Sequence, residues 1–379
     1  MYNMFERKKI TMMNSSLYGT RLYINCDLLK KNVNYFKNNF PFCNIMAVVK
    51  ANAYGHGDLE ISSQLKKAGI TLFAVADFEE GIRLRSVLKE STIMVMNPGI
   101  NNLKTIIKHE LEPVIYSNFM LEQLLSFSSM SKTLINIHIK LNTGMNRWGF
   151  NKDEVRLAIK KIDEHSNICI KSMYSHLASS EDLKHDQFTE LQIETLFKIK
   201  QETKDISMSN IHMFNSHGSL RFLNKKNNNQ VIRLGISLYG GIYNDNISPI
   251  SELKCTVNQI RTIHAGDYVG YNLDYTATKS MKIGIISLGY ADGLQRSWGN
   301  GVLKFYYNKQ LAPTIGNISM DSCMIDVSNL KNIKEGDDVI YFGTDRPIWI
   351  LAQELNTIPY EIISSLSRRI KRIYISNNE

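Results

Sequence analysis

A lysine at the end of an apolar segment is the first residue whose setting suggests chemistry. Lys50 follows the run MAVV (residues 46–49) and precedes a loop of small residues that contains Tyr54. A lysine that is partly withdrawn from water has a lowered pKa, and its neutral amine can form a Schiff base with a carbonyl group. A lysine at a strand end can also simply extend its ammonium group into solvent. The residue type alone leaves both possibilities open.

The elements that must position Lys50 come from an alternation of short apolar runs and longer amphipathic segments between about residues 22 and 242. The runs expected to be buried parallel strands are residues 22–26, 45–49, 72–75, 93–96, 113–116, 135–141, 168–174, 212–215 and 231–234. Segments with helical spacing lie between them, for example residues 78–89 and 120–127. This alternation predicts a parallel sheet with helices outside it.

About eight strand–helix units favour a (β/α)8 barrel of the TIM type. An open, doubly wound sheet would produce the same alternation, and the chain has no glycine-rich dinucleotide loop that would distinguish the two. In a barrel, Lys50 would end its strand at the carboxyl-terminal mouth, where the active sites of this fold lie. The sequence therefore favours a site at that mouth.

The pattern changes after about residue 248. Strand-like runs follow one another without long helices between them, at residues 254–263, 268–271, 282–287, 302–307, 322–327 and 338–341. Turn pairs such as Asp292-Gly293 separate them, one helix is expected at residues 348–355, and a last strand is expected around Tyr374. We therefore expect a flexible extension (1–17), a barrel (18–248) and a mainly antiparallel C-terminal β domain (249–379).

Composition and charge argue against several other classes of protein. The net charge of +9 comes from basic pairs spread along the chain, so we expect no nucleic-acid partner. No apolar stretch is long enough to span a bilayer and the first residues lack the apolar core of a secretory signal, so we expect no membrane association. The five cysteines form no CxxC pair and no metal-ligand cluster, which fits a reducing, cytoplasmic location and no bound metal.

Lys50 opens the run KANAYGHG (residues 50–57), which strongly resembles the cofactor-lysine motif of alanine racemases. The resemblance extends from about Tyr18 to Tyr374. It implies the same barrel and C-terminal β domain, pyridoxal 5′-phosphate (PLP) as cofactor, a small amino acid as substrate, and a homodimer with shared active sites. It also implies that Lys50 holds PLP covalently and serves as one of two catalytic bases, and that Tyr54 binds the phosphate group.

The run KLNTGMNR (residues 140–147) is similar to a second motif of the family. By that resemblance, Lys140 matches a lysine that is often carbamylated, and the carbamate positions an arginine. Arg147 matches that arginine, which orients the substrate carboxylate and the phenolate oxygen of PLP. A buried basic residue paired with a carboxylate is the alternative for Lys140.

Three further runs resemble segments that bind the cofactor in this family: YSHLAS (174–179), NS (215–216) and RLGISLYG (233–240). They imply that His176 packs beside the cofactor ring and that Ser216 binds the phosphate. The backbone N–H groups of Gly235 and Ile236 would cradle the same phosphate. Arg233 would donate to the pyridine nitrogen, and since an arginine keeps its own proton, the ring would be a weaker electron sink.

The second catalytic base is implied by the run GYNLDYTA (270–277). Tyr271 matches the family's tyrosine base, which enters from the partner subunit and faces the opposite side of the substrate from Lys50. Without the motif, a core tyrosine in a strand would be the favoured interpretation. With both residues, the resemblance predicts a racemase that interconverts L-alanine and D-alanine by a two-base mechanism and supplies D-alanine for peptidoglycan.

The substrate entrance is implied by three shorter matches. Tyr290 in GYADG (289–293) and Tyr360 in IPYEI (358–362) resemble the family's entrance tyrosines, and Tyr360 also lies near the cofactor by that resemblance. In SMD (319–321), the backbone N–H of Met320 would meet the substrate carboxylate, with Asp321 beside it. Two tyrosines that narrow the entrance favour a small side chain, hence alanine over serine.

Five residues depart from the usual pattern of the family. Asn142 stands where aspartate is usual, and Asn146 and Asn272 stand where glycine is frequent. Asn317 stands where arginine is often found, and His217 replaces a small residue beside the phosphate serine. None of these changes removes a catalytic group. They leave rate and substrate breadth open.

Other functions remain to be weighed against the racemase. A serine or broad-specificity amino-acid racemase would share the cofactor site, and a related decarboxylase would share the fold. A PLP-binding homeostasis protein would be the non-enzymatic alternative, but such proteins lack the second domain and the base at Tyr271. An inactive relative is disfavoured by intact Lys50, Arg147 and Arg233.

Overall fold

The computed structural model describes residues 19–131, 133–203, 210–223 and 231–376. The extension predicted at residues 1–17 lies outside them. The described chain forms two compact units. Of the described residues, those within 33–53 and 58–235 form the barrel unit, and those within 19–32, 54–57 and 236–376 form the β unit.

Eight parallel strands form the sheet of the barrel unit, in the order β8-β7-β6-β5-β4-β3-β2-β9. They are β2 (Asn44–Val48), β3 (Leu72–Val75), β4 (Thr92–Val95), β5 (Glu112–Ile115), β6 (Ile135–Lys140), β7 (Ile168–Tyr174), β8 (Asn210–His212) and β9 (Val231–Leu234). The N–H of Arg233 in β9 donates to the carbonyl of Phe214, just after β8, at 2.9 Å. The two end strands therefore meet, which confirms the barrel and excludes the open sheet.

Helices cover the outside of this sheet, as the alternation predicted. Their bounds are α1 (Cys26–Asn39), α2 (Asp58–Lys67), α3 (Phe78–Arg85), α4 (Leu103–Lys108), α5 (Asn118–Ser129), α6 (Lys152–Asp163), α7 (Asp186–Glu202) and α8 (Ser216–Arg221). In α6 the Glu154 carboxylate accepts from the N–H of Asn151 at 2.8 Å, which satisfies an amide at the helix start. The helix buries Val155, Ile159 and Ile162 on one side. None of the described helices combines the length and apolar character that crossing a membrane requires.

The first predicted strand, residues 22–26, does not belong to the barrel. It forms as β1 (Thr20–Asn25), which pairs antiparallel with β10 (Ser251–Ile263) and parallel with β18 (Lys371–Ile375) in the β unit. Leu22 and Ile24 are buried while Tyr23 between them is partly exposed. Barrel strands are buried on both faces and carry continuous apolar runs, whereas alternation is typical of a sheet with one solvated face. The alternation in residues 22–26 was therefore the feature of the sequence that distinguished this strand from those of the barrel.

The main sheet of the β unit also has eight strands, in the order β13-β16-β15-β14-β17-β10-β1-β18. Its strands after β1 are β10 (Ser251–Ile263), β13 (Met281–Ile286), β14 (Lys304–Tyr307), β15 (Gln310–Ile315), β16 (Cys323–Asp326), β17 (Asp338–Phe342) and β18 (Lys371–Ile375), and β11 (Tyr268–Val269) pairs separately with β12 (Tyr275–Thr276). All pairs except β1–β18 are antiparallel, as predicted. The sequence did not predict β15, because Pro313 within it disfavours an interior strand.

Two helices lie near the end of the β unit. The predicted helix at residues 348–355 forms as α9 (Ile348–Glu354). A second helix, α10 (Pro359–Ser364), begins with proline at its first turn, where the missing N–H costs nothing. It carries Tyr360, one of the two predicted entrance tyrosines.

Candidate active site

The carboxyl ends of the barrel strands carry most of the residues predicted to hold the cofactor. Lys50 follows β2, Lys140 is the last residue of β6, and Tyr174 is the last residue of β7. His176 follows β7 by two positions, and Arg233 lies in β9. Because parallel strands of a closed barrel end at one mouth, these side chains belong to the same end of the barrel unit.

Lys50 is followed by a left-handed turn. Residues 51–53 have φ angles of 52°, 56° and 52°, a conformation that costs about 1–2 kcal/mol per L-residue. The carboxylate of Glu80 accepts from the N–H of Ala51 at 2.6 Å and from the N–H of Ala76 at 2.8 Å. Glu80 therefore anchors the start of this turn. Sequence reasoning missed Glu80, because an acidic residue in the first turn of α3 is ordinary.

The surroundings of Lys50 make its amine easier to deprotonate than that of an exposed lysine. Burial lowers the pKa of Lys50, and the positive charge of Arg147 lowers it further. The negative charge of Glu80 acts in the opposite direction but does not cancel the first two effects. An amine with a lowered pKa is a better nucleophile and base at neutral pH.

Lys140 is a second amine with a lowered pKa. It is only 8% exposed, and burial, together with the charges of Arg233 and Arg147, holds its pKa well below the ordinary value. Its Nζ lies 4.4 Å from the centroid of the Tyr174 ring. Within the described residues Lys140 forms no ion pair with a carboxylate.

Arg233 is a buried cation with fixed orientation. Its guanidinium donates to His212 Nδ1 at 2.5 Å, to His176 Nδ1 at 3.3 Å, and to the carbonyls of Ser175 and Met213 at 2.7 and 3.1 Å. Burial lowers the pKa of Arg233 to about 10, although Tyr174 opposes this effect. Because an arginine only donates, both Nδ1 atoms must accept, and both imidazoles are neutral.

The neutral state of His176 agrees with its surroundings. Burial is the first cause that lowers its pKa well below the ordinary value, followed by the charges of Arg233 and Lys140. Tyr174 is also buried, and its pKa is raised to about 12 by burial, against the opposing charges of Arg233 and Arg147. The mouth is therefore an electropositive region in which the neutral imidazole and phenol do not offset the cations.

A hydroxyl and a backbone amide meet beyond β8 and β9. Ser216 Oγ accepts from the N–H of Gly235 at 3.4 Å. Asn215 caps the short helix α8, because its Oδ1 accepts from the N–H of Gly218 at 2.8 Å. A Cβ at Gly218 would lie 2.5 Å from Leu177 Cδ1, so a larger residue here would require the Leu177 side chain to shift. Hydroxyl and amide donors of this kind fit a phosphate group.

The asparagines in the loop that carries Arg147 preserve its geometry. Asn142 Oδ1 accepts from the N–H groups of Gly144 and Asn146 at 3.1 and 3.0 Å, which an aspartate would also do. Its amide nitrogen donates to Asn146 Oδ1 at 2.9 Å. Asn146 has a φ of 54°, and asparagine tolerates that left-handed conformation better than most residues. Both departures therefore leave the turn intact.

Within the β unit, Tyr54 belongs to a cluster of aromatic rings. Its ring stacks on Tyr239 with a centroid distance of 4.9 Å and lies 6.0 Å from Tyr360. The His56 ring also stacks on Tyr239, with a centroid distance of 4.9 Å. Tyr54 is 8% exposed, and burial raises its pKa. The buried phenol is therefore a hydrogen-bond donor rather than a base.

Also in the β unit, Tyr271 is 70% exposed and sits in a tight turn. Gly270, Asn272 and Leu273 have φ angles of 77°, 64° and 56°. The amide of Asn317 donates to the Tyr271 carbonyl at 3.2 Å and to the carboxylate of Asp274. Asn272 thus adopts the conformation that a glycine would, and Asn317 holds the turn from outside it.

The loops that carry the remaining predicted substrate residues are joined to each other. Tyr290 and Met320 are 43% and 54% exposed, and the N–H of Tyr290 donates to the carbonyl of Ser319 at 3.0 Å. Arg369 pairs with Asp292 at 2.6 Å and with Asp321 at 2.5 Å. This arginine therefore links the two loops, a role that the sequence did not indicate.

The donors of the barrel unit fit PLP. The cofactor has an aldehyde, an anionic phosphate and a pyridine nitrogen, and the unit offers an amine of lowered pKa, a hydroxyl beside a backbone amide, and a buried arginine. These groups lie at the same ends of the barrel strands. Their chemistry is that of a site for an anionic aromatic aldehyde.

Comparison with known proteins agrees with this chemistry. Residues 24–242 match the family model described as alanine racemase, N-terminal domain, and residues 250–374 match that described as alanine racemase, C-terminal domain. Together the two models account for most of the chain.

Similar proteins carry the same name. The alanine racemase of Clostridium tetani is 34% identical, with 93% of this chain and 94% of the relative covered. That of Helicobacter pylori strain P12 is 34% identical over 93% of this chain and 98% of the relative. Among solved structures, alanine racemase from Bartonella henselae with covalently bound pyridoxal phosphate is 30% identical, with a TM-score of 0.86 over 94% of this chain and 100% of that one.

Proposed function

The chain belongs to the alanine racemase family, and on that premise we propose that it interconverts L-alanine and D-alanine with PLP as cofactor. The observation that carries the proposal is Lys50 at the end of a barrel strand, with an amine whose pKa is lowered by burial and by Arg147. This is the residue type and position that a cofactor-binding base requires, and the lowered pKa favours its reactive, neutral form.

In the proposed site, Lys50 would hold PLP covalently, Arg233 would donate to its ring nitrogen, and Ser216 with the amides of Gly235 and Ile236 would bind its phosphate. His176 would pack beside the ring, and Tyr54 and Tyr360 would complete the cofactor site. When bound, PLP would withdraw electrons from the substrate α-carbon and so acidify the α-proton. The buried Arg233, with a pKa of about 10, is protonated at neutral pH and favours an unprotonated ring nitrogen, which limits that withdrawal.

Inversion at the α-carbon requires two bases on opposite faces. We propose that Lys50 Nζ accepts or returns the proton on one face. Tyr271 of the partner subunit would do so through its phenol oxygen on the L face. The exposure of Tyr271 in a single chain supports this assignment, because a side chain that is 70% exposed is accessible to a second chain.

A shared site of this kind implies a homodimer. In such a dimer, the exposed turn of each chain would supply Tyr271 to the site of the other chain. A single chain would therefore lack its second base. We also propose a cytoplasmic location, where the five free thiols would stay reduced. D-alanine made there would be available for peptidoglycan synthesis.

Substrate binding is assigned to Arg147, the backbone N–H of Met320, and the nearby Asp321. We propose that Arg147 orients the substrate carboxylate and that a carbamate on Lys140 orients Arg147. A neutral amine is the form that reacts with carbon dioxide, and Lys140 has the strongly lowered pKa that this requires. Intact-mass measurement with and without carbon-13 bicarbonate would detect the modification.

The entrance tyrosines favour alanine among small amino acids. Tyr290 is partly exposed, while Tyr360 packs near Tyr54. Bulky rings at an entrance would restrict the side chain of the substrate to a small one. A serine or broad-specificity racemase remains the second candidate, because serine is larger than alanine by a single hydroxyl.

The test uses purified full-length protein, PLP, and either L-alanine or L-serine in heavy water. Enantiomers are separated by chiral chromatography, and loss of the α-proton is followed by NMR. We expect rapid exchange and D-alanine formation, with much slower turnover of serine. Faster turnover of serine would change the substrate but keep the mechanism.

Two other outcomes would contradict the proposal. Exchange without inversion would mean that only one base operates. Bound PLP with neither exchange nor inversion would favour the cofactor-binding homeostasis protein, and release of carbon dioxide from the substrate would favour a decarboxylase.

A further inference from the structure

One layer of the barrel interior is polar across five consecutive strands. β5 to β9 each contribute one buried side chain to it: Glu112, His138, Ser172, His212 and Arg233. Each is 8% exposed or less. Such layers in barrels of this type are mostly Val, Ile and Leu. A continuous polar layer has a desolvation cost, so its members must be hydrogen-bonded to one another.

The five side chains form one unbroken hydrogen-bond chain. Arg233 Nη1 lies 2.5 Å from His212 Nδ1, and His212 Nε2 lies 3.0 Å from Ser172 Oγ. Ser172 Oγ lies 2.7 Å from His138 Nδ1, and His138 Nε2 lies 2.9 Å from Glu112 Oε2. Both ring nitrogens of each histidine are used.

The direction of the chain follows from its two ends. Arg233 can only donate, so His212 must accept at Nδ1 and carry its proton at Nε2. That proton is donated to Ser172, whose own hydroxyl proton then goes to His138 Nδ1. His138 therefore carries its proton at Nε2 and donates it to Glu112. An ionised carboxylate can only accept, so Glu112 selects the same direction as Arg233 from the opposite end.

The charges of the layer agree with this direction. Burial alone would raise the pKa of Glu112, but the hydrogen bonds from His138 and Asn136 and the charge of Lys171 act against burial, and the pKa of Glu112 is lowered. Asn136 also donates to the other carboxylate oxygen at 3.2 Å. The pKa of His212 is held well below its ordinary value by burial and then by Arg233. Glu112 is therefore favoured as an ionised carboxylate that only accepts, and His212 is favoured as a neutral imidazole.

The opposite direction would disrupt Arg233. If the chain reversed, His212 would present an N–H group to the guanidinium, and two donors would face each other across the 2.5 Å contact. Arg233 would have to move away from its position beside His176. The chain thus has one direction that holds Arg233 and one that displaces it.

We propose that Glu112 is a positioning residue for Arg233, acting through the hydrogen-bond chain between them. The carboxylate fixes the direction of the chain and keeps an acceptor aimed at Arg233. The consequence for the cofactor rests on the proposed function, in which Arg233 contacts the pyridine nitrogen. The direction of the chain itself does not depend on that function.

The first measurement is the protonation of the imidazole nitrogens in the protein without PLP, by long-range proton–nitrogen-15 NMR. We expect His138 and His212 each to carry a single proton, at Nε2. In Glu112→Gln the amide can donate as well as accept, so only Arg233 still selects the direction. A fraction of His212 should then carry its proton at Nδ1, with Arg233 displaced from it. A wild-type His212 protonated at Nδ1, or an unchanged tautomer in Glu112→Gln, would overturn the proposal.

The second measurement is a double-mutant cycle on PLP affinity. The affinity of each variant is obtained by titrating the cofactor-free protein with PLP. Glu112→Gln and Ser172→Ala should each weaken PLP binding by about 3- to 10-fold, because each loosens the hydrogen bond that holds Arg233. In the Ser172→Ala background, Glu112→Gln should have no further effect, because the connection is already broken. Equal effects of Glu112→Gln in both backgrounds would contradict transmission through Ser172.

Two variants separate positioning from general destabilisation. Ser172→Thr keeps the hydroxyl and should restore the His212 tautomer. Ser128→Ala removes a buried hydroxyl that contacts His165 at 3.3 Å, outside the polar layer, and should leave PLP affinity unchanged. Weakening by Ser128→Ala equal to that by Ser172→Ala would indicate a purely structural effect. If the wild type bound no PLP, the proposed function would fail, while the nitrogen NMR would still decide the direction of the chain.

Discussion

At the barrel mouth, Lys140 and Arg233 are buried and His176 is half-buried, and their protonation is set by desolvation and by neighbouring charges. In the β unit, Tyr271 and Met320 are more than half exposed and are held by the backbone geometry of their loops. In the first region, the charges that set these pKa values all come from the same chain. The second region presents side chains that have a defined conformation but few neighbours.

The difference indicates how each region can fail. A buried charge cannot be removed at the mouth without changing the protonation of its neighbours, because the medium screens little. A substitution in an exposed loop changes the position of one side chain and leaves the charges elsewhere as they were. Barrel variants should therefore alter acid–base behaviour, and loop variants should alter geometry at constant acid–base behaviour.

The largest effect is expected for Lys50→Ala. It removes both the attachment of the cofactor and one base, so racemisation should fall by at least about 10³-fold in both directions. Chiral chromatography measures this loss. Lys104→Ala changes an exposed lysine of α4 and should have no effect. Racemisation retained by Lys50→Ala would invalidate the two-base mechanism.

Tyr271→Phe should show the contrast between the regions most directly. We expect a loss of about 10²-fold, concentrated in α-proton exchange from the L face, because only one of the two bases is removed. Exchange of L- and D-alanine in heavy water, measured separately, checks this. Tyr268→Phe, at another exposed tyrosine of the β unit, is the matched control. Equal losses from both faces would argue against the assignment.

Lys140→Met should stabilise the fold while reducing activity. In carbonate-free buffer at pH 7, removing a buried amine should raise the free energy of unfolding by about 1–2 kcal/mol. Because the pKa of Lys140 is lowered in the folded state, the unfolded chain binds more protons at pH values between the folded pKa and 10.5. The wild type should therefore gain stability relative to the variant as pH rises through that range. Urea unfolding at several pH values tests this, and a difference independent of pH would contradict it.

A smaller effect is expected for Asn317→Ala. The turn that holds Tyr271 loses its side-chain hydrogen bonds, so exchange from the L face should fall by about threefold with little change in stability. In the Tyr271→Phe background the same substitution should have no effect on exchange. An additive loss in that background would mean that Asn317 acts on something other than Tyr271.

The smallest effects are opposite displacements of the Lys50 pKa. Arg147→Gln removes a positive charge and should raise it, whereas Glu80→Gln removes a negative charge and should lower it. The pH dependence of Lys50 labelling by an amine-reactive reagent, followed by mass spectrometry without PLP, measures both. Displacement in the same direction would indicate a common structural disturbance rather than charge.

The sequence was sufficient for the strand–helix alternation, the second domain and the family resemblance, because these depend on local patterns. The pattern alone did not separate a barrel from an open sheet; the resemblance implied the barrel, and the contact between β8 and β9 confirmed it. Apolar runs at strand spacing are continuous along the chain, and motifs such as KANAYGHG keep their residues adjacent. The departures at Asn146 and Asn272 also follow from a local property, since asparagine tolerates the left-handed conformation found at both positions.

Only the tertiary structure could place β1 in the sheet of the β unit, because an alternating run does not indicate its partner strands. The same holds for Glu80, which reaches Ala51 across 29 positions of sequence, and for Arg369, which joins two separate loops. Glu112, His138 and Ser172 were unremarkable as single residues. They became one hydrogen-bond chain because barrel closure brings successive strands side by side and excludes water from the space between them.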